Sequence, residues 1–424
     1  MIKLYTPQIL LDGKPVEKIT AFLFPKGGNE NPKTLLANAG KSFQGSIVLG
    51  MGFTFDDTNV NATPIATMHQ LIAENPKNQD RIFPYIGGEE VNSSPTHSHH
   101  RYVINFGEMS EDEAREYSDL MAIVEEKVKP GRIVLPPKNS WNKTVAAKWW
   151  LFGADRVELR KAIVQCDRVL VVARVGQHGS FTFLPTEIVY SEQLIVIAIQ
   201  TYSAFCTLQS RTHEIWARFF GSSMKDDLRY TPSDCFETFP FPDNWETDAT
   251  LEAAGEAYYT YRAQLLINNN QGLTTTYNRF HDPQETDPAI LKLRELHSEM
   301  DQAVLTAYGW HDIDTTCEFI LDYEDEEDTT TPDNHKRSRK KPYRYRWPQA
   351  THDEVLARLL DLNQKRYDQE IIGGAGKGGK KKREEGKKKT TTRKSQPAIS
   401  EADRQLALIP EPIEQLNVWS QSDF

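Results

Sequence analysis

Val169-Leu-Val-Val-Ala-Arg174, Ser180-Phe-Thr-Phe-Leu184 and Gln193-Leu-Ile-Val-Ile-Ala-Ile199 decide how this chain is read. All three are β-branched or aromatic and are separated by turn residues, so they read as strands. Outward from them, residues 203–220 read as one helix. Phe205, Leu208, Ile215 and Phe219 mark its buried stripe, and Thr212 weakens the middle of that face. Phe239-Pro-Phe-Pro242 then stops the chain, because proline fixes φ and removes amide donors. Strands followed by helices predict a mixed α/β (α+β) fold.

Upstream, Ile19-Thr-Ala-Phe-Leu-Phe24 and Ser46-Ile-Val-Leu49 read as short strands, with a Gly/Asn/Pro stretch at 27–32 between them. A helix is expected near 66–73, strands near 81–88 and 101–106, and a charged helix over 110–127. Ser110-Glu-Asp-Glu113 fits a capping box at the start of that last helix. Downstream the pattern is helical over 249–268, 289–308 and 352–369. These readings divide the chain into a junction segment (1–79), a strand-rich domain (80–245), a helical domain (246–370, with an acidic and basic linker at 322–346) and a Lys/Gly-rich tail (371–424). The tail composition predicts disorder.

The chain has 424 residues and a net charge of −10, and that charge is unevenly spread. Lys336–Arg346 holds seven basic residues and no acids; Lys377–Lys394 holds ten basic residues and two acids. Setting these two stretches aside leaves a body near −25. An acidic body disfavours indiscriminate coating of DNA, since affinity grows with each counterion released. Nucleic-acid contact must then be focused. No apolar run reaches the roughly 20 residues that a membrane span needs. The opening Met1-Ile-Lys-Leu-Tyr-Thr-Pro has no long apolar stretch, and the four cysteines show no metal spacing, so a cytoplasmic location is expected.

Several stretches, in matching order, resemble the target-recognition end of the MmeI-like and related type IIG adenine-specific DNA methyltransferases. They are Gly40-Lys-Ser-Phe-Gln-Gly45, Phe83-Pro-Tyr-Ile-Gly-Gly-Glu-Glu90, Ile123-Val-Glu-Glu-Lys-Val-Lys-Pro130 and Arg174-Val-Gly-Gln-His178. The series continues with Leu208-Gln-Ser-Arg-Thr-His-Glu-Ile-Trp216, Arg229-Tyr-Thr-Pro and Phe239-Pro-Phe-Pro242. It ends with Thr276-Tyr-Asn-Arg279, Ala307-Tyr-Gly-Trp310 and Tyr343-Arg-Tyr-Arg-Trp-Pro348. The resemblance implies double-stranded DNA as partner and a place in a restriction-modification or phage-defence system. It implies S-adenosylmethionine as methyl donor, bound by a catalytic half.

That half is not found in the sequence. The family's catalytic motif is Asn-Pro-Pro-aromatic, whose amide and ring hold a flipped adenine. Here the pairs Asn31-Pro32 and Asn75-Pro76 are each followed by Lys. The chain therefore reads as a recognition half with no catalytic or cofactor-binding residues of its own, working with a separate methyltransferase subunit or domain. The alternatives are a docking subunit that reads no bases and a truncated remnant.

The DNA-contacting candidates are Arg174, Gln177 and His178 in one turn, Arg211 and His213 on a helix, and Lys225, Arg229, Tyr230 and Thr231 in a loop. Arg grips guanine edges, Gln reads adenine, and Lys mostly meets phosphate. Lys336–Arg346 mixes basic and aromatic residues, which suits phosphate contact with stacking or a solvated linker. Other motifs read as structural. Gly50-Met-Gly52 lacks the third glycine of a dinucleotide loop, and Leu35 stands where a phosphate loop before Gly40-Lys-Ser42 needs Gly. Asp119, Glu125 and Lys127 share one helix and solvate it. His97, His99 and His100 read as a polar loop, and Trp149, Trp150 and Trp216 as core.

Overall fold

The computed structural model describes residues 9–11, 13–24, 28–224, 227–321 and 343–373. After an antiparallel pair of short strands, Ile9–Leu11 and Lys14–Val16, come β1 (Ser42–Gln44), β2 (Thr54–Phe55), β3 (Ile82–Ile86) and β4 (Arg101–Ile104). There follow β5 (Arg168–Ala173), β6 (Val175–Gly176), β7 (Thr182–Pro185), β8 (Val189–Tyr190) and β9 (Leu194–Ile197). The last are β10 (Ser222–Met224), β11 (Asp227–Arg229), β12 (Glu318–Leu321) and β13 (Tyr343–Arg346). The mixed α/β expectation holds.

The central sheet runs β1-β9-β5-β7, all antiparallel. Every residue of β9, and all of β5 but Arg168, is buried. A second sheet runs in the order β8-β3-β4-β2. The expected strand at 19–24 is not formed, and 46–49 makes only isolated bridges from Ser46 and Ile47.

The helices that matter here are α1 (Tyr202–Gln209), α2 (Arg211–Phe220), α3 (Ala249–Asn269), α4 (Leu273–Phe280), α5 (Pro288–Ala307) and α6 (Gln349–Ile372). The single helix read over 203–220 is broken. Ser210 is extended (ψ 158), its hydroxyl donates to the Thr207 carbonyl, and the Arg211 amide turns to the Asp301 carboxylate. Phe219 accordingly leaves the stripe and packs on Phe22, Phe24 and Phe220 at the edge of the core. The charged helix likewise splits into Glu111–Arg115 and Ser118–Lys127, with the Ser110/Glu113 capping box in place.

Two hydrophobic cores lie within the described residues. β1, from the supposed junction segment, is an edge strand of the central sheet, and β2 completes the second sheet. One core joins Phe24, the central sheet and helices α1 to α6, out to Leu360. A smaller one, from Val48 to Phe152, packs under the second sheet. Two glycines permit the closest approaches. A Cβ on Gly255 of α3 would sit 2.2 Å from the Tyr202 carbonyl oxygen of α1, and one on Gly45 would sit 2.1 Å from that of Ser191. The helical region is thus fused to the strand-rich one. Among the described residues no helix is long and apolar enough to cross a membrane. The acidic run at 322–328, most of the basic linker and nearly all of the tail lie outside the described residues.

Candidate nucleic-acid interface

The two loops singled out in the sequence are brought together as one small sheet. β6 pairs with β11, Val175 opposite Arg229 and Gly176 opposite Leu228, and β11 pairs with β10. Side chains alternate along a strand. Leu228 enters the core, so Asp227 and Arg229 face outward beside Val175, which is 39% exposed, and the exposed Gln177. Arg174 ties this sheet to the central one. Its amide donates to the Gln193 carbonyl (2.7 Å) and its carbonyl accepts from the Tyr230 amide (2.8 Å).

Around that junction lies a cluster that the sequence reading missed. Arg156 donates to the Gly45 carbonyl (3.1 Å) and to the Gln44 amide oxygen (3.2 Å), and Gln44 donates to the Glu192 carbonyl (3.0 Å). Arg101 pairs with buried Glu90 at 2.6 Å, and the Gln193 side chain accepts from the Gly88 amide. Burial raises the Glu192 pKa, while Arg174, Arg156 and Arg101 all pull it the other way. Arg174, Arg156 and Arg101 thus all act electrostatically on one half-buried carboxylate. Their positions lie far apart in the chain, and only the sheet pairing brings them together.

Three candidates prove to be structural. Arg211 is 2% exposed and ion-pairs with Asp301 at 2.5 Å, while donating also to His297 (2.9 Å) and the Tyr345 carbonyl. Burial works against both charges, yet Arg211 keeps the Asp301 pKa below the ordinary aspartate value. His213 and Tyr230, each 1% exposed, are hydrogen-bonded to one another at 2.9 Å. Burial drives the His213 pKa down to about 3. The reason is shared: α2 is covered by other elements on the face that was taken for solvent.

His178 is half-buried. Its Nε2 bonds Asn278 Oδ1 at 2.9 Å, and its ring stacks on His281 (5.2 Å) and Tyr277 (5.7 Å). Burial lowers its pKa to about 4. The Thr231 hydroxyl donates to Asp234 (2.8 Å). Lys225 lies outside the described residues. Gln177 and Arg229, together with Arg174, remain on the accessible side.

The motifs read as structural also find places. Trp149, Trp150 and Trp216 are buried. Glu125 pairs with Arg115 and Lys129, and Asp119 accepts from Asn78. His97 Nδ1 bonds the Val91 carbonyl and His99 packs edge-on against Tyr102. In the basic-aromatic linker, Arg344 is buried, as is Trp347 just after it.

The sequence model of the family described as MmeI, target recognition domain, matches residues 31–243, half of the chain. The chain belongs to that family. Its match contains both strands of the outward-facing pair, β6 and β11, but none of α3 to α6. The fold is similar to a solved structure, the type IIL restriction-modification enzyme MmeI in complex with DNA, with a TM-score of 0.56 at 17% identity. The similarity covers 84% of this chain and 39% of that one. No curated protein matches the chain.

Proposed function

We propose that this MmeI-type recognition domain reads a specific duplex sequence through the outer face of the β10-β11-β6 sheet. The observation that carries this reading is the pairing of Val175 with Arg229, which sets Gln177 and Arg229 on one accessible face of a braced platform. The two side chains offer what base edges require: a planar amide for adenine and a planar guanidinium for guanine. Arg174, Arg156 and Arg101 alongside supply cations for the flanking phosphates. In this proposal the modification chemistry belongs to an adenine-specific methyltransferase half that binds S-adenosylmethionine. The two halves serve a cytoplasmic restriction-modification or phage-defence system.

The test is competition binding of the full chain against duplexes that differ by single base pairs. One duplex should be preferred, and Gln177→Ala or Arg229→Ala should each relax one position by roughly 1–3 kcal/mol. Equal affinity for all duplexes would leave a docking role instead. Labelled methyl incorporation by this chain alone should be absent and should appear when a cognate catalytic half is added.

A further inference from the structure

We propose that Arg344 is a positioning residue for base recognition: with Arg218 it fixes the peptide plane behind Gln177, from a part of the chain outside the family match. The proposal rests on the DNA-reading function above. The Gln177 carbonyl accepts two hydrogen bonds, from Arg218 Nη2 of α2 and from Arg344 Nη2 of β13, each 2.8 Å long. A carbonyl oxygen has two lone pairs, so both are occupied, and by charged donors, whose bonds are stronger than those of neutral ones. Two guanidinium groups on one oxygen would repel, but Glu214 lies between them, 2.8 Å from Arg218 Nε and 3.8 Å from Arg344 Nη1. Burial would raise the Glu214 pKa; the two arginines outweigh it and hold the carboxylate ionised.

The next residue is held as firmly. His178 is stacked on α4 through Tyr277 and on His281, and it bonds Asn278. β13 is fixed in turn: the Tyr345 amide donates to His281 Nδ1 (3.1 Å), its carbonyl accepts from Arg211, and the strand pairs with β12. The peptide between Gln177 and His178 is thus clamped from the inner side while the Gln177 side chain leaves on the outer side. A bidentate contact to a base tolerates only about 0.5 Å and 10–20° of misplacement. Rotation of that peptide would re-aim the amide. Residues 31–243 therefore do not by themselves contain everything that orients their own recognition loop.

The experiment uses the full chain and a panel of duplexes, each one base pair away from the preferred sequence. Gln177→Ala should relax one position, by roughly 5- to 150-fold. Arg344→Met should relax the same position, and the double variant should lose no more than Gln177→Ala alone, because Arg344 acts through Gln177. Arg344→Lys keeps the charge without the fork and should relax that position by less. The proposal is overturned by equal weakening of every duplex by Arg344→Met, by relaxation at a different position, or by losses that add in the double variant. An unchanged ranking in the Met variant also overturns it. If Arg344→Met fails to fold, Arg344→Lys decides in the same way, relaxation at the Gln177 position supporting and an unchanged ranking overturning. A ranking unaffected by Gln177→Ala sinks the DNA-reading role of that residue, and this inference with it; failure of the Arg344 variants alone leaves that role standing.

Discussion

Arg211 and Arg229 belong to the same stretch of chain and both were candidates for DNA contact, the helix face of Arg211 reading also as a structural polar face, yet they sit on opposite sides of the molecule's logic. Arg211 lies under α5 and β13 with a carboxylate at 2.5 Å, and its other partners are His297 and the Tyr345 carbonyl. Arg229 faces outward on β11, opposite an exposed valine. Buried Arg262 repeats the first pattern, bonding Gln209, Tyr277 and the Phe181 carbonyl. What separates the two roles is the cover that a second element supplies, not residue type. The inner arginines hold the sheet in place; Arg229 faces outward beside Val175.

The largest expected effect breaks the inner side. Arg211→Ala leaves the buried Asp301 carboxylate with the backbone amide at position 211 and His297 for partners, and removing one partner of a buried pair typically costs about 3–5 kcal/mol. Urea unfolding should show that loss, and the double change Arg211→Met with Asp301→Leu should recover much of it. Arg229→Ala should leave the unfolding midpoint nearly unchanged, within about 0.5 kcal/mol, as for surface changes in general. Similar losses from both substitutions would erase the distinction between the two sides.

A second effect concerns acid. His213 is held neutral by burial, with its pKa near 3 against an ordinary 6.5. Between those values the unfolded chain binds a proton that the folded chain refuses, so stability rises with pH and is lost as pH falls below about 6.5. From pH 6.5 to 5 this one group should cost the fold about 2 kcal/mol. Urea midpoints measured across that range should fall on acidification, and more gently in His213→Gln, which cannot protonate. A midpoint independent of pH would mean that His213 is reached by water.

Much of the architecture was legible because its signals are local. The apolar runs of β5 and β9, the capping box at Ser110 and the three long helices each announce themselves within a short window. The breaks did not. Ser210 ends α1 because the next amide is taken by Asp301, which no pattern around 210 encodes. The site was half legible for the same reason. Gln177 and Arg229 were named, but their adjacency depends on the β6–β11 pairing. Arg211, His213 and Tyr230 carry the chemistry of a DNA contact, and only the elements packed over them show that they are core. Arg101 and Arg156 were not among the candidates, and Arg344 was read only as part of the basic-aromatic linker, because each owes its position to partners distant in sequence.

The smallest expected effect sharpens the outer side. Thr231 stands just past β11 and was grouped with Arg229, but its hydroxyl donates to Asp234 at 2.8 Å and its amide points at Cys235 Sγ (3.4 Å). Both polar groups are committed to the turn that leads into Phe236. A hydrogen bond of this kind contributes about 1 kcal/mol. Thr231→Ala should therefore lower stability by about that amount in urea unfolding, while the order of preference among duplexes stays as it was. Thr231→Ser, which keeps the hydroxyl, should restore most of the loss. A reordered duplex preference in Thr231→Ala with unchanged stability would reverse the assignment and extend the reading surface beyond Arg229 to the start of the turn.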